Sequence, residues 1–389
     1  MKTKAQRLTR ATTVTTTGGK MPARAAHGGG SGRPLVVWAF LAGALILAIS
    51  ACGGSPTSTA STATASAAPV EASSTASPTT AVVPGPLLPG RIAFRRYFDD
   101  TESTGAIFTS APDGSGERQV TRPPALALDD EPNWAPDGSR LLFTRSTDLG
   151  TDQESQRLFT VSSDGSGPTA VSPKNPSGFG YNAGAFSPDG KYLAAGTYHG
   201  DVTSDQIKFS EIVVMDADGT HRHEVTTFPA YSGDAGGVAW SPDGKRLVFA
   251  RSNAGATKPD GGRALFIMDV DGGHQRQLTP WTVGAGGTPA WSSKTNLIAF
   301  RAVADDEAGI GNFYTIHPDG TSLTQVTDFT DTVISHKVGF SRDGQWIVFA
   351  KETASGNNDV FIAKVDGTDM RAVTNTPLAD SAPDWGSPR

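Results

Sequence analysis

Trp240-Ser-Pro-Asp-Gly-Lys-Arg-Leu-Val-Phe249 is the stretch on which the fold of this chain turns. An aromatic residue leads into a Pro-Asp-Gly turn, and a short apolar strand follows. Asp-Gly supplies the positive φ that a tight hairpin needs, so the decapeptide reads as two antiparallel strands. The pattern recurs at Trp134-Ala-Pro-Asp-Gly138, Phe186-Ser-Pro-Asp-Gly190 and Phe340-Ser-Arg-Asp-Gly344. Altered copies stand at Trp291-Ser-Ser-Lys-Thr295 and Trp385-Gly-Ser-Pro388. Copies follow one another at about 50 residues, a period that marks a repeat architecture.

Each copy carries the same further parts. The apolar strand after the turn is Leu141-Leu-Phe143, Leu193-Ala-Ala195, Leu247-Val-Phe249, Ile298-Ala-Phe300 or Ile347-Val-Phe349, and Ile92-Ala-Phe94 opens the series. A third strand follows, as at Leu265-Phe-Ile-Met268. A second Asp-Gly turn then falls at Asp113, Asp164, Asp218, Asp271, Asp319 and Asp366. The repeat ends on Val-Thr or Leu-Thr (Val120-Thr121, Val225-Thr226, Leu278-Thr279, Val326-Thr327, Val373-Thr374), or on Val171-Ser172. Four short strands with a large aromatic cannot bury both faces alone, so the repeats must pack side by side and close. This predicts an all-β fold over residues 89–389: a six-bladed β-propeller of four-stranded antiparallel blades. The series opens on a second strand at Arg91–Phe94 and ends on an innermost one at Pro383–Trp385. Pairing of these N- and C-terminal strands would therefore complete one blade and close the ring.

The repeat resembles the WD40-like, or PD40, repeat of TolB-like propellers, whose motif is close to Pro-x-Trp-Ser-Pro-Asp-Gly followed by an Ile-Ala-Phe strand. Trp240–Phe249 and Pro132-Asn-Trp134 carry it best, and the resemblance spans roughly residues 90–389. It implies the fold, and a channel rim at which a partner segment docks. TolB itself resembles a two-domain periplasmic protein with a small α/β domain before the propeller; this chain has other sequence there.

That preceding sequence reads as a leader and a tether. Residues 1–52 hold seven basic residues and no acidic one. An uncharged apolar run, Leu35–Ser50, ends at Ile49-Ser50-Ala51-Cys52. Sixteen residues suit a signal-peptide core better than a membrane span, which needs about 20. Ile-Ser-Ala-Cys resembles a bacterial lipobox, in which Cys52 is lipidated and becomes the N-terminus. The alternative is an uncleaved anchor helix, and translation could start at Met1 or Met21. Residues 53–88 are Ser, Thr, Ala and Pro with one charge, Glu71. Such a segment cannot bury a core and reads as a disordered tether spanning roughly 35 Å. The expected location is the bacterial membrane, lipid-anchored and facing outside the cytoplasm. Cys52 is the sole cysteine, so no intrachain disulfide forms.

The net charge of −6 conceals an asymmetry, because beyond residue 52 there are 26 basic and 39 acidic residues. That excludes the basic footprint a nucleic-acid partner requires. Strand order puts both kinds of Asp-Gly turn at one face, uniform and structural. The variable loops lie at the other face, where binding resides. Counting four to six residues back from each inner aromatic gives a candidate binding rim of Asp129, Asp130, Tyr181, Asn182, Asp234, Ser335, His336 and Asp380. A candidate basic ring follows the second strand: Arg96, Arg145, Arg251 and Lys351, with Arg301 one place earlier. It reads as an ion-pair network with the acidic rim, or as a mixed-charge cradle for a peptide or anionic sugar.

No Gly-x-Ser-x-Gly elbow occurs, so the hydrolase that accompanies some such propellers is not expected. His221, His223, His274 and His317 fall at the turns and cannot converge; only His336, with His199 nearby, approaches the rim. No metal or cofactor is expected, although the acidic loops offer the oxygen ligands calcium prefers, without EF-hand spacing. The reading is a non-enzymatic, monomeric, membrane-anchored module whose acidic loop face binds an envelope protein or peptide. The alternative is a surface carbohydrate-binding or carbohydrate-cleaving propeller.

Overall fold

The structure, a computed structural model, describes residues 88–99, 101–149, 154–174, 179–201, 206–228, 235–253, 262–303, 309–330 and 332–387. The leader, Cys52, almost all of the tether, and Asp234 lie outside these residues. Among the described residues the chain forms twenty-four β-strands and one 3₁₀ turn, Trp281–Val283, with no α-helix.

The strands pair antiparallel in sets of four. β1 (Arg91–Tyr97), β2 (Gly105–Ser110) and β3 (Arg118–Gln119) pair in that order, and the last strand, β24 (Asp380–Gly386), adds to the free side of β1. Then come β4 (Leu128–Trp134), β5 (Arg140–Thr147), β6 (Ser155–Ser162) and β7 (Thr169–Ala170), followed by β8 (Phe179–Phe186), β9 (Tyr192–Asp201), β10 (Gln206–Asp216) and β11 (His223–Glu224). The fourth set is β12 (Ala235–Trp240), β13 (Arg246–Asn253), β14 (Gly262–Asp269) and β15 (Arg276–Gln277). The fifth is β16 (Ala285–Trp291), β17 (Ile298–Val303), β18 (Gly311–Ile316) and β19 (Thr324–Gln325); the sixth is β20 (Ile334–Phe340), β21 (Trp346–Glu352), β22 (Asn358–Lys364) and β23 (Arg371–Ala372). Single parallel bridges, Gly105 to Leu128 and Thr288 to Lys337, merge neighbouring sets into two eight-stranded sheets beside two four-stranded ones. The result is all-β and propeller-like.

The repeated residues have repeated jobs. Asp113, Asp164, Asp218, Asp319 and Asp366 each accept the N–H two residues on at 2.9–3.0 Å, so the second turns cap themselves. The terminal Thr or Ser hydroxyl of each set accepts a third-strand N–H: Thr121 from Ile107, Ser172 from Leu158, Thr226 from Ile212, Thr279 from Leu265, Thr327 from Phe313 and Thr374 from Val360, all at 2.8–3.0 Å. These buried N–H groups lie where the two-residue fourth strands end, and the hydroxyl supplies the missing acceptor. Apolar side chains from neighbouring sets interlock between them. Ile92, Phe94, Trp346, Val348 and Trp385 form one such layer, and Leu142, Leu158, Tyr181, Phe186 and Leu193 another.

Candidate functional site

The innermost strands β4, β8, β12, β16, β20 and β24 pack against one another in that order, and β24 packs on β4. Each carries a register shift against its partner, as between Asp130 and Asn133 or between Asn182 and Gly184. An added residue re-aims the side chains around it. Glu131 and Ala382 take left-handed φ of 55° and 50° at these bulges, a conformation that costs about 1–3 kcal/mol for a residue other than glycine.

The bulges decide which counted residues reach the axis. Asp129 and Asp380 do not line an open rim, as the sequence count had them: both are 0 % exposed. Asp129 lies opposite Arg145, which donates to it through Nε and Nη2 at 2.5 and 2.7 Å. Asp380 lies opposite Arg96, which donates at 2.7 and 2.8 Å and also holds Glu117 at 2.5 and 2.9 Å. Burial pushes both aspartates above the ordinary carboxyl range, with the arginines opposing that shift. Tyr181 is also wholly buried, its ring edge-on to Phe179 at 5.7 Å, so it is a core residue and not a rim residue. Asn182 lies on β8 opposite Gly196. Asp130 accepts from Arg95 of β1, and His336 meets Glu131.

The basic ring is chiefly a packing device. Arg96 lies over Phe108 at 4.7 Å, Arg145 over Phe159 at 4.9 Å, Arg251 over Phe228 at 4.3 Å, and Lys351 Nζ over Phe361 at 4.4 Å. Among the described residues, Arg96 and Arg145 also pair with counted aspartates, Asp380 and Asp129. Cation–aromatic contacts therefore account for the spacing of the ring better than a continuous ion-pair network does.

A polar cluster that the rim count did not isolate gathers where β4, β20 and β24 meet. Glu131, on the β4 bulge, receives the His336 imidazole at Oε1, and Lys337 Nζ stands 3.6 Å from Oε2. Lys337 is 2 % exposed and donates to the Pro132 carbonyl at 2.6 Å, so two side chains of β20 reach β4 past β24. Asp384 of β24 accepts the Trp134 N–H at 2.7 Å. Arg95 donates to Ser381 as well as to Asp130, with its guanidinium 4.1 Å from the Tyr97 ring centre. Burial raises the Glu131 pKa, but His336, then Lys337 and Arg95, outweigh it and hold the group at about 2. The His336 side chain keeps 36 % of its surface exposed, so the cluster has an open side.

A signal for this cluster was present. The residue three before each inner aromatic is Ala183, Gly237, Thr288 or Ala382 in four sets, but Glu131 and Lys337 in the two that flank Ala382. Opposite charges at one repeat position, on either side of a small residue, announce a bridge.

At the turn ends of the same six strands a cleft of about 480 Å³ opens, with Asn133, Thr288, Lys337 and Asp384 among its lining. Among the described residues no group of three or more His, Cys, Asp or Glu is placed to hold a metal ion. The turn histidines are engaged locally, His221 with Asp216 at 2.7 Å and His274 with Asp269 at 2.6 Å.

Residues 181–388 match the TolB β-propeller domain, PD40, and the chain belongs to that family. By structure it is similar to TolB from Acinetobacter baumannii (TM-score 0.60, 18 % identity, 77 % of this chain and 67 % of that one). It is also similar to a TolB candidate from Agrobacterium tumefaciens (TM-score 0.52, 20 % identity, 75 % and 91 %). By sequence it is 27 % identical over 145 residues to dipeptidyl-peptidase 5 of Porphyromonas endodontalis; the match covers 37 % of this chain and 20 % of that protein's length. Identities this low speak for the fold alone.

Proposed function

We propose that the chain is an extracytoplasmic lipoprotein, anchored through Cys52 and a flexible tether, whose propeller is a non-enzymatic binding module for an envelope protein or peptide. The strand sets are read as six blades, with β24 beside β1 as the clasp that closes the ring. The β1–β24 pairing and the packing of β24 on β4 support that reading.

The observation that carries the binding role is the Glu131–His336 contact. Glu131 holds a strained backbone conformation and a buried carboxylate against an imidazole that remains partly open. Strain of this kind persists where the surroundings over-determine it, as they do at binding sites. Members of the TolB family present this channel region to partner segments, and the acidic loops around it favour a partner bearing Lys or Arg.

Site-specific photo-crosslinking in intact cells tests the reading. Probes at Glu102 and Asp148, in the loop ends, should capture one defined protein, and a probe at Lys245, in a turn, should not. His336→Ala should abolish the capture while the folded protein persists. Equal capture from Lys245, or capture indifferent to His336→Ala, would overturn the proposal.

A further inference from the structure

The fourth and fifth strand sets differ in charge at their turn ends. Four first turns carry an aspartate, Asp137, Asp189, Asp243 and Asp343, that accepts the N–H two residues on at 2.9–3.1 Å. In the β16–β17 turn the equivalent residue is Lys294. The second turns of the third and fourth sets carry Asp216 and Asp269 two places before their Asp-Gly; the fifth set has His317 there. The fifth set thus carries a lysine in its first turn and a histidine in its second, where the neighbouring fourth set carries Asp243 and Asp269.

His317 lines a groove of about 550 Å³, within the roughly 300–1,000 Å³ typical of small-molecule sites. Arg246 and Arg276, the first residues of β13 and β15, line it together with Asn296, His317 and Ser322. The Arg246 guanidinium lies 5.3 Å from the Trp291 ring centre, which fixes its plane. Arg276 donates one N–H to the Pro318 carbonyl and has four others. Asn296, at a left-handed φ of 55°, accepts the Trp291 indole N–H at 2.9 Å through Oδ1, which leaves its two amide N–H groups to the groove. The carboxylate in the lining, Asp319, is committed to the Thr321 N–H and hydroxyl at 2.9 and 2.7 Å.

We propose that this groove binds a sugar residue carrying one anionic group, a carboxylate or a phosphate. The two guanidiniums receive the anion, which suits their forked donors, and Asn296 and Ser322 hydrogen-bond the ring hydroxyls. The site lies at the turn ends, away from the Glu131–His336 cluster, and stands independently of the protein-binding role.

The test is a ligand-observed NMR titration of the full-length chain in detergent with D-glucuronate, D-glucose 6-phosphate and D-glucose. At least one anionic sugar should bind tenfold or more tightly than glucose; which one does so separates carboxylate from phosphate. Arg246→Gln with Arg276→Gln should weaken that binding at least tenfold. His317→Asp restores the residue type found at the same position of the fourth set. It should weaken binding to a similar degree while leaving the melting temperature unchanged. Anionic sugars that bind no better than glucose would overturn the proposal, as would wild-type affinity in the folded His317→Asp protein.

Discussion

Asp129→Ala should be among the most damaging single substitutions in the domain, although Asp129 touches no solvent and serves no proposed partner. The carboxylate is fully buried and receives two hydrogen bonds from Arg145, itself 9 % exposed. Removing it leaves a buried guanidinium without a counter-charge, a loss of about 3–5 kcal/mol. At roughly 2 °C per kcal/mol for a domain of this size, the melting temperature should fall by about 6–10 °C. The intact pair is not a large asset for that reason. Burial raises the Asp129 pKa despite Arg145. A carboxyl whose folded pKa is raised gives its full stabilising share below its unfolded value, and loses it as pH climbs through the folded one. At neutral pH the ionised pair therefore costs more in desolvation than it returns. Asp129→Leu combined with Arg145→Met, which retains contact with Phe143 and Phe159, should recover most of the loss. Urea denaturation of wild type, both single variants and the double variant measures the coupling. A single-variant loss under about 1 kcal/mol, or a double variant no more stable than the sum of the two losses, would refute this account.

Three further outcomes follow from the same geometry. Glu131→Gln should be less stable than wild type near pH 6. Because the folded Glu131 pKa is lowered to about 2, its contribution exists above the ordinary value of 4.5 and is lost as pH falls toward 2, so the gap should shrink in acid; a gap as large at pH 3 as at pH 6 contradicts the ion-pair assignment. Thr279→Val should cost about 1–3 kcal/mol in chemical denaturation by orphaning the Leu265 N–H. Thr279→Ser, the residue type standing at Ser172, should cost much less. Gly287→Ala should prevent accumulation of folded protein, because φ is 73° and a Cβ would lie 1.9 Å from the His336 carbonyl oxygen. Gly116→Ala, at φ 60° with nothing within 4 Å, should lower stability by only about 1 kcal/mol.

Sequence periodicity revealed what backbone hydrogen bonding repeats. The Asp-Gly turns, the Val-Thr endings and the pairing of Arg91–Phe94 with the final strand were all legible, because each answers a local demand for positive φ, for a buried acceptor, or for an edge to be covered. The rim was legible only in part. Counting back from an aromatic assumes strict alternation, but each innermost strand gains a bulge between the aromatic and the counted residue. Asp129, Tyr181 and Asp380, all five places before their aromatics, therefore turn between the strand sets, and His336, four places before, comes beside Glu131. The basic ring misled for another reason. Arg96, Arg145, Arg251 and Lys351 repeat because the third-strand Phe (Phe108, Phe159, Phe266 and Phe361) invites a cation, and sequence alone does not separate that from a ring awaiting a ligand.

The uneven spread of charge around the inner strands has a topological cause. Five sets are continuous in sequence, so their pairing is specified largely by short turns. The set that joins β24 to β1 has no such turn, and its partners are separated by most of the chain. Arg95 and Arg96 on β1 meet Ser381 and Asp380 on β24, which fixes the register that a turn would otherwise fix. His336 and Lys337 then reach past β24 to Glu131 and Pro132, tying the neighbouring sets directly to each other. Buried ion pairs give little net stability, but they penalise every wrong partner heavily. A slipped β24 would place Arg96 opposite no carboxylate, whereas a slip in an all-apolar seam would exchange one aliphatic contact for another. Charge thus fixes the register where covalent continuity is missing, although a like pair, Asp129 with Arg145, also lies within a continuous set. The partly open imidazole of His336 stands beside that seam, so a partner that competes for Glu131 would be felt first at the contact between β4 and β20.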